Sequence, residues 1–133
     1  MRIEQRQVKV RLTEIDAPEL RQPFGTRSKQ SLSELCFGKT AALDVQGHDR
    51  YQRTLAHVTC GGTDANAEQV RRGLAWTYTR YTRADSPLHE LERVARSAHR
   101  GLWADDTPVA PWDWRRGGPR SAISDEMRVT RYR

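Results

Sequence analysis

Val10-Arg11-Leu12-Thr13-Glu14-Ile15-Asp16-Ala17-Pro18-Glu19 is the stretch on which the reading of this chain depends. Val8, Val10 and Leu12 alternate with Lys9, Arg11 and Thr13, the two-residue period of a strand with one buried face. Arg11 therefore belongs to the polar face. Asp16-Ala17-Pro18 ends the strand, because Pro18 has no N–H to give a sheet. An arginine thus stands on a strand and two carboxylates, Asp16 and Glu19, stand around the bend that follows. A second arginine, Arg53, closes the polar run Gln46-Gly47-His48-Asp49-Arg50-Tyr51-Gln52 and opens another strand.

Working outward, Phe24 to Cys36 is predicted as a helix, with Phe24, Leu32, Leu35 and Cys36 at helical spacing and Gly38 as its C-terminal cap. Strands are predicted near Thr40–Val45 and Arg53–Thr59, then a turn at Gly61-Gly62. A short helix runs from Asn66 to Arg72, with Asn66 as N-cap, Gln69 at the capping-box position and Gly73 beyond its end. Leu74 to Tyr78 reads as one more strand. A third helix opens with Ser86 and Pro87, carries Leu88, Leu91, Val94, Ala95 and Ala98 on its apolar face, and stops at Gly101. Short strands with helices between them predict an α+β domain around a small barrel or curled sheet.

The 133 residues suit one domain, and 36% apolar with 30% charged residues is the balance of a globular protein with a wet surface. No apolar run approaches the roughly 18 residues of a membrane span. Nor does the N-terminus show the apolar core of a signal peptide, so the chain as given is expected to stay where it is made, in the cytoplasm. The net charge of +6 is uneven: residues 1–114 carry 17 Lys/Arg against 15 Asp/Glu, and residues 115–133 carry six Arg against two acids. The expected organisation is a folded domain over 1–116 and a basic, disordered tail over 117–133 that attracts polyanions without specificity. Cys36 and Cys60 are too far apart for a Cys-x-x-Cys site and are expected as buried free thiols in preference to a disulfide, their distance in space being open from sequence. The histidines His48, His57, His89 and His99 show no zinc-ligand spacing.

Arginine and carboxylate at such bends suit phosphodiester hydrolysis. Fixed cations offset the charge that builds on phosphorus, and arginine's planar fork bonds two phosphate oxygens at once. A carboxylate near the attacking water can take its proton, and a divalent ion on oxygen ligands adds Lewis acidity. Four motifs in order then resemble the staphylococcal nuclease (thermonuclease) family. Arg11 to Glu19 is similar to its RL-x-x-I/V-D-x-P-E signature, and Asp49 to Ala56 to its D-x-Y-G-R-x-L-A motif. Asn66 to Ala75 resembles its N-x-x-L-V-x-x-G-L-A helix, and Ala95 to Trp103 its closing A-x-x-x-x-x-G-L/I-W.

The resemblance implies an OB-fold barrel of five strands with three helices, and calcium-dependent endonuclease action on DNA or RNA. By motif, Arg11 and Arg53 would contact the scissile phosphate, Glu19 would activate water, and Asp16 with the carbonyl of Ala17 would bind Ca2+. Arg50 and Tyr51 would hold the substrate phosphate, and Tyr78 or Tyr81 would stack on a base or else pack in the barrel.

Two departures bear on this. Relatives carry an Asp-Gly-Asp-Thr turn upstream of the arginine that Arg11 matches, whereas residues 1–10 contain no aspartate. The expectation is a chain that starts within the second strand, lacking the first strand and one metal carboxylate, unless the missing strand is encoded upstream of Met1. Its exposed sheet edge is then open to a second copy, as a homo-oligomer, or to cover by another segment. Gln52 also stands where relatives carry glycine, which is tolerable unless the position needs positive φ. The alternative function is a non-catalytic OB-fold module that binds nucleic acid or protein.

Overall fold

A computed structural model describes residues 7–117, 126–129 and 132. The sheet is built on β1 (Val8–Leu12), β3 (Ala41–His48), β4 (Thr54–Cys60) and β7 (Glu126–Val129), in the order β3-β4-β1-β7. β4 pairs antiparallel with β3 and parallel with β1, so that Val10 lies opposite Thr54 and Arg11 opposite Leu55. The parallel step needs a crossover, which α1 (Gly25–Cys36) and β3 supply. A two-residue β5 (Thr63–Asp64) lies against β4, and β2 (Ile15–Asp16) pairs apart with β6 (Trp76–Thr77). α2 (Ala65–Arg71), α3 (Leu88–Ser97) and α4 (Pro111–Arg116) complete an α+β architecture.

The alternation read for β1 holds: Val10 and Leu12 are buried with Ala56, Val58, Leu32, Leu35 and Val70 in the main core. A second apolar cluster of Trp76, Ala95, Leu102, Trp103 and Ala110 lies beside it. The first two predicted strands and the helices stand within a few residues of where they were expected. β3 is longer, running on to His48 across a register shift between Val45 and Gly47. The predicted strand Leu74–Tyr78 reduces to Trp76–Thr77.

Asn66 does not cap α2. Asp64 does, accepting from the Ala67 N–H at 2.9 Å. Asn66 is wholly buried instead, accepting from Val58 N–H and donating to the Thr13 carbonyl. It thereby ties β4 to the end of β1, where backbone groups leave the ladder and need partners.

The C-terminal region departs most from expectation. Within the stretch read as a disordered tail, Glu126–Val129 form β7 on the outer edge of β1, with Arg11 opposite Glu126 and Val8 opposite Val129. Of the two outcomes expected for that edge, cover by another segment is the one found. Apolar Met127 and Val129 alternate with Glu126 and Arg128, and Val129 is buried, so the segment gains a packed face as well as a ladder. An isolated bridge from Tyr132 to Ala41 then brings it round to β3. The sheet is curled, without a continuous ladder closing it, among the described residues. The rest of the predicted tail, residues 118–125, 130, 131 and 133, lies outside the described residues.

Cys36 and Cys60 form a disulfide, where free thiols were expected. Spacing along the chain hides this: the end of α1 folds onto the end of β4, and the Cα atoms come within 5.1 Å. Between β3 and β4, Asp49 organises the turn. Its Oδ1 accepts from the Tyr51 and Arg53 N–H groups, and Gln52 N–H donates to the Asp49 carbonyl. Gln52 has φ 62°, so this position does need the left-handed conformation that glycine adopts at low cost.

Two predictions follow from these geometries. Reduction should lower stability by about 3 kcal/mol, the scale for a loop of this size. Urea unfolding with and without dithiothreitol reads it, and coincident curves would mean the bridge contributes nothing. Gln52→Gly should raise stability by about 1 kcal/mol, since relief of left-handed strain exceeds glycine's extra unfolded-state entropy. A fall in the unfolding midpoint would refute the strain.

Candidate active site

After β1 the chain reverses at Glu14, which holds φ 66°. Its carbonyl accepts from Tyr78 N–H at 2.8 Å and from the Thr82 hydroxyl at 2.9 Å. This anchor sets β2, where Asp16 lies opposite Trp76. Glu19 is fixed from both sides of its peptide: its N–H donates to Gln22 Oε1 and its carbonyl accepts from Gln22 N–H. Gly25 packs so tightly on this bend that a Cβ there would sit 2.1 Å from the Glu19 carbonyl oxygen. Only glycine lets α1 start so close.

Asp16 and Glu19 are both 0% exposed. Arg11 Nη2 lies 3.4 Å from Asp16 Oδ1. The strongest contacts come from a residue the sequence reading did not single out. Arg115, on α4, places Nη2 2.6 Å from Asp16 Oδ2, and Nη1 3.3 Å from Asp16 Oδ1 and 3.1 Å from Glu19 Oε1. Burial acts to lower the Arg115 pKa, but the hydrogen bonds and charges of Asp16 and Glu19 outweigh it and raise the pKa above the ordinary arginine value. Such a fork bridging two buried carboxylates is a charge-assisted contact in low dielectric.

A second cluster lies around Arg53, itself only 4% exposed. Asp49 Oδ2 accepts from Arg53 Nε at 2.7 Å, and Glu126 Oε2 of β7 accepts from Arg53 Nη1 at 3.1 Å. Burial works to raise the Asp49 pKa, yet the bonds from Arg53 and Tyr51 and the Arg53 charge hold it below the usual carboxylate value. The guanidinium groups of Arg50 and Arg53 lie 5.1 and 5.6 Å from the centre of the exposed Tyr51 ring. The parallel pairing of β1 with β4 brings this cluster beside the first.

Tyr78 and Tyr81 stand further along, with ring centres 4.9 Å apart, and Tyr78 also lies 4.9 Å from Trp112. Tyr78 is half-buried in this aromatic group, whereas Tyr81 is 66% exposed with Arg80 over its ring.

The structure therefore gathers Arg11, Asp16, Ala17 and Glu19 at one bend, and Arg50, Tyr51 and Arg53 at a neighbouring turn. The sequence reading missed Asp49, Arg115 and Glu126. Asp49 had a local signal, an acid at the start of a turn four residues before Arg53. Arg115 had none, since it meets Asp16 across 99 residues.

For the calcium ion that the resemblance implies, the donor chemistry fits in kind. Two wholly buried carboxylates already gather a cation, the Arg115 guanidinium, and hard oxygens suit calcium. The donors are few: among the described residues no three His, Cys, Asp or Glu side chains cluster as a metal site. Calcium takes about six to eight oxygens, so Asp16 and the Ala17 carbonyl alone would hold it weakly.

Residues 9–105 match the family described as staphylococcal nuclease homologue. An uncharacterized endonuclease of Haemophilus influenzae is 46% identical over 110 residues, covering 82% of this chain and 61% of that protein. A micrococcal nuclease of Shigella flexneri is 40% identical over 119 residues, covering 82% and 68%. A probable staphylococcal-like nuclease of Oryza sativa subsp. japonica is 37% identical over 108 residues, covering 81% of this chain and 32% of that protein. The chain thus spans less than two thirds of the length of several curated relatives it matches. With the family match, these identities and the arginine–carboxylate bend all falling on the same residues, the chain belongs to the staphylococcal nuclease homologue family.

Proposed function

We propose that this chain is an endonuclease, a phosphodiesterase that hydrolyses DNA or RNA with the help of calcium. The observation that carries the reading is the bend itself: Arg11 bonds Asp16, Arg115 bridges Asp16 and Glu19, and both carboxylates are wholly buried. Arg11 and Arg53 bind the non-bridging oxygens of the scissile phosphate and offset the charge that grows on them during attack. Glu19 accepts the proton of the attacking water. Asp16 and the Ala17 carbonyl would hold calcium, which would supply Lewis acidity.

Arg50 and Tyr51 steady the same phosphate from the neighbouring turn, and Tyr81 offers a face for a base. Asp49 touches no substrate in this reading; it aims Arg53. A second reading, a barrel of this family that binds nucleic acid without cutting it, draws on Arg115 and Glu126, which sit on the groups that cleavage requires. The names of the relatives speak for the first.

Glu19→Gln should lower the rate of single-stranded DNA cleavage in calcium by about 10²- to 10⁴-fold, with circular dichroism unchanged. Cleavage at the parental rate would sink the assignment of Glu19, and binding without cleavage by the parent chain would favour the second reading. Asp49→Asn should keep the turn but loosen Arg53, lowering kcat/KM by about tenfold, on the order of one charge-assisted hydrogen bond. The same variant tests linkage. The depressed Asp49 pKa adds stability that is complete above the unfolded-state value near 3.8 and is lost as pH falls through the lower folded-state value. Asp49→Asn should therefore flatten the acid limb of the stability curve, and an unchanged limb would contradict it.

A further inference from the structure

The two C-terminal elements, α4 and β7, meet the two halves of the site with opposite charges. At one end, the Arg115 guanidinium bonds both oxygens of Asp16 and one of Glu19, where a cation belongs. At the other, the Glu126 carboxylate bonds Arg53, where an anion belongs. Asp16, Glu19 and Arg53 are at most 4% exposed with these partners in place, so neither a metal ion nor a phosphate reaches them without displacing something. The two occupants are themselves reachable, with side chains 20% and 31% exposed. They approach from the solvent side and can withdraw to it.

Both are well anchored. α4 docks through Trp112, whose ring centre lies 5.5 Å from that of Trp76 and 4.9 Å from that of Tyr78. β7 docks through its ladder with β1, which sets Glu126 opposite Arg11 and so within reach of the arginine cluster.

We propose that Arg115 and Glu126 are built-in surrogates for the cation and the phosphate, so that each ligand binds this site only in competition with the chain's own C-terminal segment. This rests on the reading of Asp16 as a ligand of the cation, Glu19 as the base beside it and Arg53 as a phosphate contact. Under it, the apparent affinity for the cation is the intrinsic one reduced by the fraction of time Arg115 is withdrawn. Arg115 then determines the calcium requirement and Glu126 the phosphate affinity. The two effects are separable because the two contacts are made by different residues on different elements.

Isothermal titration of calcium into the full chain is the decisive measurement, on the parent, Arg115→Gln, Arg115→Lys and Glu126→Gln. Arg115→Gln should tighten calcium by about tenfold or more, and Glu126→Gln should leave it within about twofold. Arg115→Lys, which keeps charge but loses the fork, should fall between, and it serves if Arg115→Gln fails to fold. The calcium-induced rise in Tm should be larger for Arg115→Gln than for the parent. With a short single-stranded DNA in EDTA as probe, Glu126→Gln should tighten binding and Arg115→Gln should not.

Calcium affinity that falls or stays level in both Arg115 variants overturns the proposal and makes Arg115 a structural clamp. So does an absence of calcium binding in every variant. Should Arg115 fail in this way while Glu19→Gln still abolishes cleavage, the competition is wrong and the nuclease reading stands. Parental cleavage by Glu19→Gln would remove that reading instead.

Discussion

Two carboxylates buried side by side, Asp16 and Glu19, impose a demand that the surrounding structure has to meet. Each ionised carboxylate removed from water costs several kcal/mol unless a cation and hydrogen bonds take the place of its hydration. The bend that carries them leaves little freedom. Glu14 is held in a left-handed conformation, Gln22 pins the Glu19 peptide, and α1 begins against it at Gly25. With the carboxylates fixed, the cation has to come to them. Arg115 does so on a short helix that edge-to-face and tilted contacts of Trp112 with Trp76 and Tyr78 hold in place. The second apolar cluster thus positions a charge as well as filling space.

The same logic, with signs reversed, applies at Arg53. An arginine almost wholly buried needs carboxylates, and it has Asp49 within its own turn and Glu126 across the sheet. Asp49 also accepts from two backbone N–H groups, so one side chain both closes the turn and aims the guanidinium. The left-handed Gln52 is strain held within that turn by those bonds.

How much of this the sequence discloses depends on the distance over which each feature acts. β1, β4 and the three longer helices were legible because period, cap and breaker are local. The clustering of Arg11, Asp16 and Glu19 was legible because one bend contains it. Asn66 misled because a good capping residue type was also the best residue to bridge two backbone groups in the core, and burial won. The disulfide, the Arg115 contacts and the place of β7 were not legible, since each joins segments distant in sequence by a geometry that only the folded sheet supplies. The excess of arginine beyond residue 114 was read as a diffuse attraction for polyanions. In the structure one of those arginines, Arg115, has two specific acidic partners in the same chain, Asp16 and Glu19.

A guanidinium is a poor imitation of a divalent ion and a carboxylate a poor imitation of a phosphate, and this mismatch is what would make such occupants replaceable. Arg115 brings one charge spread over a plane, fixed in orientation by its helix, whereas a hard divalent ion brings twice the charge to a point. Glu126 offers Arg53 a single short contact, whereas a phosphodiester can offer oxygens to Arg11 and Arg53 together. The chain's own groups hold their advantage through attachment, which keeps them at high effective concentration beside the site. Because Arg115 stands on α4 and Glu126 on β7, each occupant yields to its own ligand without the other having to leave.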